Sequence, residues 1–243
     1  MKKKLFEIIH SMFITKKCII CNEPISHRQK EPLCEDCAEY LEELLETKCK
    51  RCAYDREYCL CLPPLIKQIY HGVAVWAVFY NADTNNPINN IVYQIKQNGY
   101  YDAIDFCTDY IMKSLISVCK IHNINYSEYK ITYPPRKKEG VIEYGFDHTE
   151  RIARSLGKKL GLKVVNTIKN KGTESQKELK KQQRLKNAEE SYDIITSAEV
   201  ANKKFFIVDD IMTTGATLFA CAKKLYANGA SAVIPVTYAK DNF

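Results

Sequence analysis

Two neighbouring carboxylates, Asp209 and Asp210, stand between an apolar run and a turn of small, hydroxyl-bearing residues. The run is Phe205-Phe206-Ile207-Val208, and the turn is Thr213-Thr214-Gly215-Ala216-Thr217. Ionised carboxylates accept hydrogen bonds, so such a pair can take two neighbouring hydroxyls of a sugar. The free N–H groups and dipole at a helix start favour a phosphate. The hydroxyls of Thr213, Thr214 and Thr217 add donors, and Gly215 would let the backbone approach a ligand closely. The chemistry these types imply is a pocket for a ribose 5-phosphate. Packing alone gives no reason for an adjacent acidic pair after a buried strand. The chain has no G-x-x-x-x-G-K-[ST] run, which argues against a nucleoside-triphosphate loop.

A second chemistry lies near the N-terminus. Of eleven cysteines, eight fall between positions 18 and 61, at the spacing of metal ligands rather than of a disulfide scaffold. Cys18, Cys21, Cys34 and Cys37 form two C-x-x-C knuckles that suit a tetrahedral structural Zn²⁺. Cys34-Glu35-Asp36-Cys37 leads into Ala38–Thr47, where Tyr40, Leu41, Leu44 and Leu45 predict a short helix whose N-terminus would help keep the thiolates ionised. His27 lies between the knuckles, but four cysteines already saturate the ion, so it reads as a loop histidine. Cys49, Cys52, Cys59 and Cys61 form a second quartet with a shorter loop, a degenerate repeat of the first. It holds a second zinc or is a set of reduced cysteines in a lost site. Neither quartet leaves an open position for catalysis. Cys107, Cys119 and Cys221 fall in helical patterns and read as core.

The elements that must position these groups follow from periodicity. With 243 residues, 46% of them hydrophobic, the chain can bury a large core. Leu5, Ile8, Ile9, Met12 and Phe13 predict an amphipathic helix rather than a signal peptide, and a cytoplasmic location is expected. Leu62-Pro63-Pro64-Leu65 closes the cysteine module. Two domains are therefore expected, residues 1–67 and 68–243. A strand is predicted within Gly72–Tyr80, then a helix through Ile88, Ile91, Val92 and Ile95 ended by Asn98-Gly99. A longer helix is expected over Ala103–Cys119, and strands at Tyr129–Tyr133, Val164-Val165, Ile194-Ile195 and Ala230–Tyr238. The alternation predicts a mainly parallel, doubly wound α/β sheet. The first of the later strands runs into a basic loop, Arg136-Lys137-Lys138-Glu139-Gly140. Lys163–Lys186 carries eight basic residues against two glutamates. It is a solvated face, a mobile hood over the site, or a nucleic-acid surface.

The Val208-Asp209-Asp210-x-x-Thr213-Thr214-Gly215-Ala216-Thr217 run resembles the phosphoribosyl pyrophosphate (PRPP) signature of type I phosphoribosyltransferases. The order of modules is similar to the ComF (ComFC) family. There a double zinc ribbon precedes a phosphoribosyltransferase-like domain, and the proteins are associated with DNA uptake in natural competence. The Pro135-Arg136 loop and the Tyr144-Gly145-Phe146-Asp147 segment also match. The chain departs from the family in reading Glu143-Tyr144 where arginines are common, which leaves fewer positive charges beside the pyrophosphate. The resemblance implies that Thr213–Thr217 holds the 5-phosphate, that Asp209 and Asp210 hold the ribose hydroxyls, and that Arg136 and Lys137 face the pyrophosphate. It also implies Mg²⁺ with PRPP, one or two structural zinc ions, and single-stranded DNA or the uptake machinery as partners. Two functions remain open: a PRPP-binding protein in DNA uptake, and an active phosphoribosyltransferase of nucleotide metabolism whose acceptor the residues do not name. The net charge of +7 permits DNA contact without demanding it.

Overall fold

The computed structural model describes residues 16–26, 29–69, 72–80, 88–172 and 181–242, with the side chains of 181–184 left aside. The amphipathic pattern at 5–13, His27, Lys177 and Lys180 lie outside the described residues.

Four parallel strands make the central sheet. β3 (Val75–Tyr80), β4 (Tyr129–Thr132), β7 (Lys204–Met212) and β8 (Ala232–Asp241) lie in the order β3-β8-β7-β4. The middle strands β7 and β8 are buried along most of their length, as strands covered on both faces must be, and β3 at the edge is apolar and buried throughout. Val164 adds a single parallel bridge to Ile131, where the sequence suggested a short edge strand. Alternation along β7 sends Phe206 and Val208 to one core cluster and Phe205 and Ile207 to another. α2 (Ile88–Tyr93), α3 (Tyr101–Ile121) and α5 (His148–Leu160) cover the first face, and α7 (Ala216–Ala227) covers the second. A small antiparallel pair, β5 (Ile168–Asn170) with β6 (Tyr192–Ile194), and α6 (Lys181–Ser191) stand over the carboxyl edge. Among the described residues no helix is long and apolar enough to cross a membrane.

The basic loop is shorter than its sequence suggests. Lys138–Tyr144 is helical (α4), so only Tyr133–Lys137 remains as loop after β4. Lys138 and Glu139 have ordinary helix propensity, and Gly145 ends the helix at φ +75°.

Each cysteine module packs against a different face of this sheet. The first holds a two-residue hairpin, β1 (Lys16–Lys17) with β2 (Pro24–Ile25), and α1 (Glu35–Glu46). Its Ile19, Ile20, Leu33 and Leu41 are buried in the same cluster as Val75, Val78 and Ile91. Asn90 Nδ2 donates to Ile20 O at 2.9 Å. The second module buries Cys49, Cys59, Leu62 and Ile66 with Trp76, Phe205 and Leu218. The C-terminal strand ties it down: Lys50 N donates to Asn242 Oδ1 at 3.1 Å, and Asn242 Nδ2 to Lys48 O at 3.3 Å.

Candidate functional site

Each cysteine quartet brings four sulfurs within 4.8 Å of one another. Zn–S bonds of about 2.3 Å in a tetrahedron place sulfurs roughly 3.8 Å apart, and Cys21 and Cys34 lie at 3.6 Å. The two leading knuckles share one backbone design. Cys18 N donates to Glu23 O and Asn22 N to Cys18 O; Cys49 N donates to Tyr54 O and Ala53 N to Cys49 O. Both knuckles turn on a residue in the left-handed region, Asn22 at φ 63° and Ala53 at φ 57°. The repeat that the spacing only suggested is thus present in the backbone.

The thiol acidities fit a cation. Burial alone would push Cys18 up, yet the N–H groups of Cys21, Cys34 and Ile20 outweigh it and hold the thiol below its ordinary value. Against the same burial, the N–H groups of Cys52 and Arg51 bring Cys49 to about 6. The other shifted members are raised by burial and by their sulfur neighbours, Cys59 to about 12. Four packed thiolates cannot all ionise without a positive ion between them, so both quartets can hold zinc.

The second site is a cavity of about 690 Å³ at the carboxyl ends of β4 and β7, where open parallel sheets bind ligands. Asp209, Asp210, Arg136, Lys137 and the whole Thr213–Thr217 turn line it. So do Lys96 and His148, neither of which the sequence singled out as a site residue. Only proximity to a known motif could have drawn attention to His148, and nothing local marks Lys96.

Asp147 builds the link between the β4 loop and α5. It caps the helix, Oδ1 accepting from Thr149 N at 3.0 Å and Glu150 N at 3.3 Å, while Oδ2 accepts from Arg136 N at 2.6 Å. Thr149 Oγ1 donates to Pro134 O at 2.8 Å, and Asn170 Nδ2 to Pro135 O at 3.1 Å. The Arg136 guanidinium lies 4.1 Å from the Tyr144 ring centre and donates from Nη1 to Lys96 O at 3.1 Å. Its position is therefore set before any anion arrives.

The acidic pair is not symmetric. Adjacent strand residues point to opposite faces, so Asp209 stays partly exposed while Asp210 is 4% exposed. Asp210 Oδ2 lies 2.9 Å from Lys96 Nζ and 3.2 Å from His148 Nε2. Burial would raise the Asp210 carboxyl, but His148 and Lys96 outweigh it and hold it well below the usual carboxylate range. Asp209 goes the other way. Desolvation and then the Asp210 charge push it up to about 7, against the lesser pull of His148 and Lys96. The oxygens of Asp209 and Asp210 and a nitrogen of His148 lie within 4.8 Å, but the Lys96 ammonium already supplies the cation beside Asp210. A Mg²⁺ at this site is better matched to ligand phosphate oxygens and water than to this trio.

Gly215 has a different neighbour from the one its motif suggests. It sits at φ +74°, just before α7, and a β-carbon there would lie 2.4 Å from Ile66 Cγ1. The close approach is to the segment that follows the second cysteine module. Ile66 is fully buried. The turn is therefore held from beneath by residues far from it in the chain.

Residues 141–242 match the family model of the phosphoribosyl transferase domain. No curated protein matches the chain. Among solved structures it is similar to an adenine phosphoribosyltransferase from Thermoanaerobacter pseudethanolicus, at 15% identity over 63% of this chain and 86% of that one, TM-score 0.37. It is similar to a phosphoribosylpyrophosphate synthetase from Mycobacterium smegmatis at 17% identity over 57% of this chain, TM-score 0.32. It is also similar to an allosteric regulatory enzyme of purine biosynthesis at 12% identity over 60%, TM-score 0.37. This chain spans only 33% and 29% of the length of the last two. From the family match and the parallel sheet, the fold is a phosphoribosyltransferase-like α/β domain preceded by a small cysteine-rich module.

Proposed function

We propose that the cavity binds PRPP and that the cysteine quartets hold two structural zinc ions. The observation that carries the reading is the meeting of three groups around one cavity: the Thr213–Thr217 turn, the acidic pair, and the Pro134–Lys137 loop. In this reading the 5-phosphate rests on the turn at the start of α7, and the acidic pair serves the ribose hydroxyls. The pyrophosphate lies beside Arg136 and Lys137. Mg²⁺, a hard ion suited to phosphate oxygens, would supply charge neutralisation on the pyrophosphate.

The alternative, phosphoribosyl transfer to an acceptor, uses the same residues. The bond from C1 of the ribose to pyrophosphate breaks, with its electron pair leaving on pyrophosphate, and the acceptor's nucleophile bonds to C1. The fixed turn and the preset Arg136 would contribute by orientation and by stabilising the departing charge. The ComF resemblance extends the reading to DNA uptake, with residues 1–67 as the docking module and residues 68–243 as the ligand domain.

Calorimetric titration of PRPP with Mg²⁺ tests the site. Asp209→Asn is expected to weaken binding by roughly 1.5–3 kcal/mol, the span of a hydrogen bond to a charged group. An unchanged affinity would remove Asp209 from the ribose subsite. Pyrophosphate release, assayed across nucleobases and amines, separates binding from transfer.

A pH series gives an independent check. Asp209 is held protonated in the folded protein up to about 7, above its unfolded value, so its charged form opposes folding. The ligand-free protein should therefore lose stability as pH rises from about 4 to about 7, and Asp209→Asn should lack that loss. PRPP affinity should rise over pH 6 to 8 in the wild type, beyond any rise seen in the asparagine variant. Parallel pH profiles in the two proteins would count against the assignment.

For DNA, the exposed lysines of the described basic segment are Lys163, Lys169, Lys171 and Lys186. Single-stranded DNA binding through them should weaken by about 0.7 log units per log salt for each phosphate engaged. Replacing all four by glutamine should flatten that slope; an identical slope would move the DNA surface elsewhere.

A further inference from the structure

The last turn of the α2 segment, Gln94–Asn98, is a single π turn, and Lys96 lies in it. Such insertions re-aim side chains and are frequent at functional sites. Gly99 ends the turn at φ +56°, where a β-carbon would lie 2.5 Å from Arg151 Nη1 and 2.7 Å from the Phe146 ring. Arg151 Nη1 donates to Gly99 O at 2.8 Å, and Arg136 Nη1 donates to Lys96 O at 3.1 Å. The turn is clamped to the segment that carries His148 and to the loop after β4. From that clamp the Lys96 side chain reaches Asp210.

Asp210 is 4% exposed and held among these charges, although its buried Oδ2 makes ion pairs and no hydrogen bond of good geometry. Its Oδ1 accepts from Ile211 N at 2.6 Å, and its Oδ2 faces both Lys96 and His148. Among the described residues, Asp209 engages through Oδ1, which accepts from Asp210 N at 2.9 Å. A carboxylate buried between two cationic or donor groups, with its other oxygen on a backbone N–H, is poorly placed to reach a sugar. A carboxylate with an oxygen left on the cavity is better placed to do so.

Resting on the PRPP reading of the cavity, we propose that Lys96 is a positioning residue of the ribose subsite. With His148 it locks Asp210 as a buried anion, which leaves the sugar hydroxyls to Asp209. Its backbone carbonyl joins that lock to Arg136, so the ribose and pyrophosphate subsites are set by one turn. Lys96 lies outside the stretch that matches the family model, on an element contributed by the preceding part of the chain.

The experiment uses the full-length, zinc-loaded protein and two kinds of measurement. Mg²⁺-PRPP, ribose 5-phosphate and Mg²⁺-pyrophosphate are titrated separately into wild type, Lys96→Met and Lys96→Arg. Lys96→Met is expected to weaken PRPP and ribose 5-phosphate about tenfold and pyrophosphate much less, since the lost charge acts on the sugar through the acidic pair and not by direct contact. Lys96→Arg keeps the charge and should restore part of the loss. A loss confined to pyrophosphate would overturn the proposal, because Lys96 would then be a leaving-group contact. Equal PRPP affinity in wild type and Lys96→Met would also overturn it while leaving the PRPP reading intact.

Thermal melts without ligand supply the second measurement. Lys96→Met should lower the melting temperature of the wild type and have no further effect in an Asp210→Asn background. Additive effects would show that the two residues are not coupled and would end the proposal. A wild type that binds neither PRPP nor ribose 5-phosphate would remove the site reading, and the positioning role with it.

Discussion

Stripping the metal from the cysteine quartets is expected to unfold both modules and to open the sheet they cover. Structural zinc contributes roughly 10–16 kcal/mol of apparent binding energy in finger peptides, more than the net stability of most domains. Neither module has regular structure enough to survive the loss. Among the described residues the first has two strands of two residues each and one helix, and the second has only short 3₁₀ turns, Arg56–Tyr58 and Ile66–Gln68. Their apolar residues are also the lid on the core, since Ile19, Ile20, Leu33 and Leu41 share a cluster with the sheet. Chelation should therefore release up to two Zn²⁺ per chain and lower the melting temperature of the whole protein. Cys34→Ser should do much of this alone, whereas Cys107→Ser, a buried change within α3, should cost far less. Metal analysis beside thermal melts is the measurement. A metal-free preparation that keeps the N-terminal order and the wild-type melt would sink the zinc assignment.

Gly215→Val is expected to be the most damaging change in the ligand site, and for a reason that lies outside the ligand. At φ +74° a β-branched residue carries strain of about 1–3 kcal/mol. Its side chain would also drive into Ile66, where overpacking typically costs another 1–3 kcal/mol. The variant should lose PRPP binding and melt on the order of 10 °C lower than wild type. Gly215→Ala combined with Ile66→Ala should relieve the overlap but add the cost of the cavity left by the fully buried Ile66, so its effect should fall short of the sum of the two single changes. A Gly215→Val protein that melts like wild type and loses only PRPP would mean the β-carbon meets the phosphate and not Ile66. The same contact couples the two chemistries. Leu62 and Ile66 follow directly on the second quartet, so emptying that quartet should weaken PRPP binding even where the sheet stays folded.

The asparagine variants of the acidic pair likewise part company once packing is considered. From the residues alone, relieving two adjacent carboxylates should leave stability unchanged or slightly raised. That still holds for Asp209, whose charge is costly in the fold. It fails for Asp210, which is buried and faces Lys96 and His148. Asp210→Asn should be destabilising, since it leaves those two groups without their anion.

What could be read from the residues in order was whatever depends on neighbours within a dozen positions. Two C-x-x-C knuckles bring sulfurs together through a local turn, and the second quartet repeats the turn of the first. The strand from Phe205 to Val208, the acidic pair and the Thr213–Thr217 turn likewise lie next to one another in the chain. From the residues alone the two carboxylates read as a pair serving the same ribose hydroxyls. Which of them would be buried against a cation was a different matter. That depends on Lys96, delivered by a π turn that periodicity cannot distinguish from the end of an ordinary helix. The role of Gly215 depends on Ile66, brought beneath it by the docking of the second module. A chain's local preferences specify strands, turns and knuckles, because those energies involve adjacent residues. Contacts such as Lys96 with Asp210 and Ile66 with Gly215 exist only once distant elements share a core, and they decide how the same motif residues divide their work.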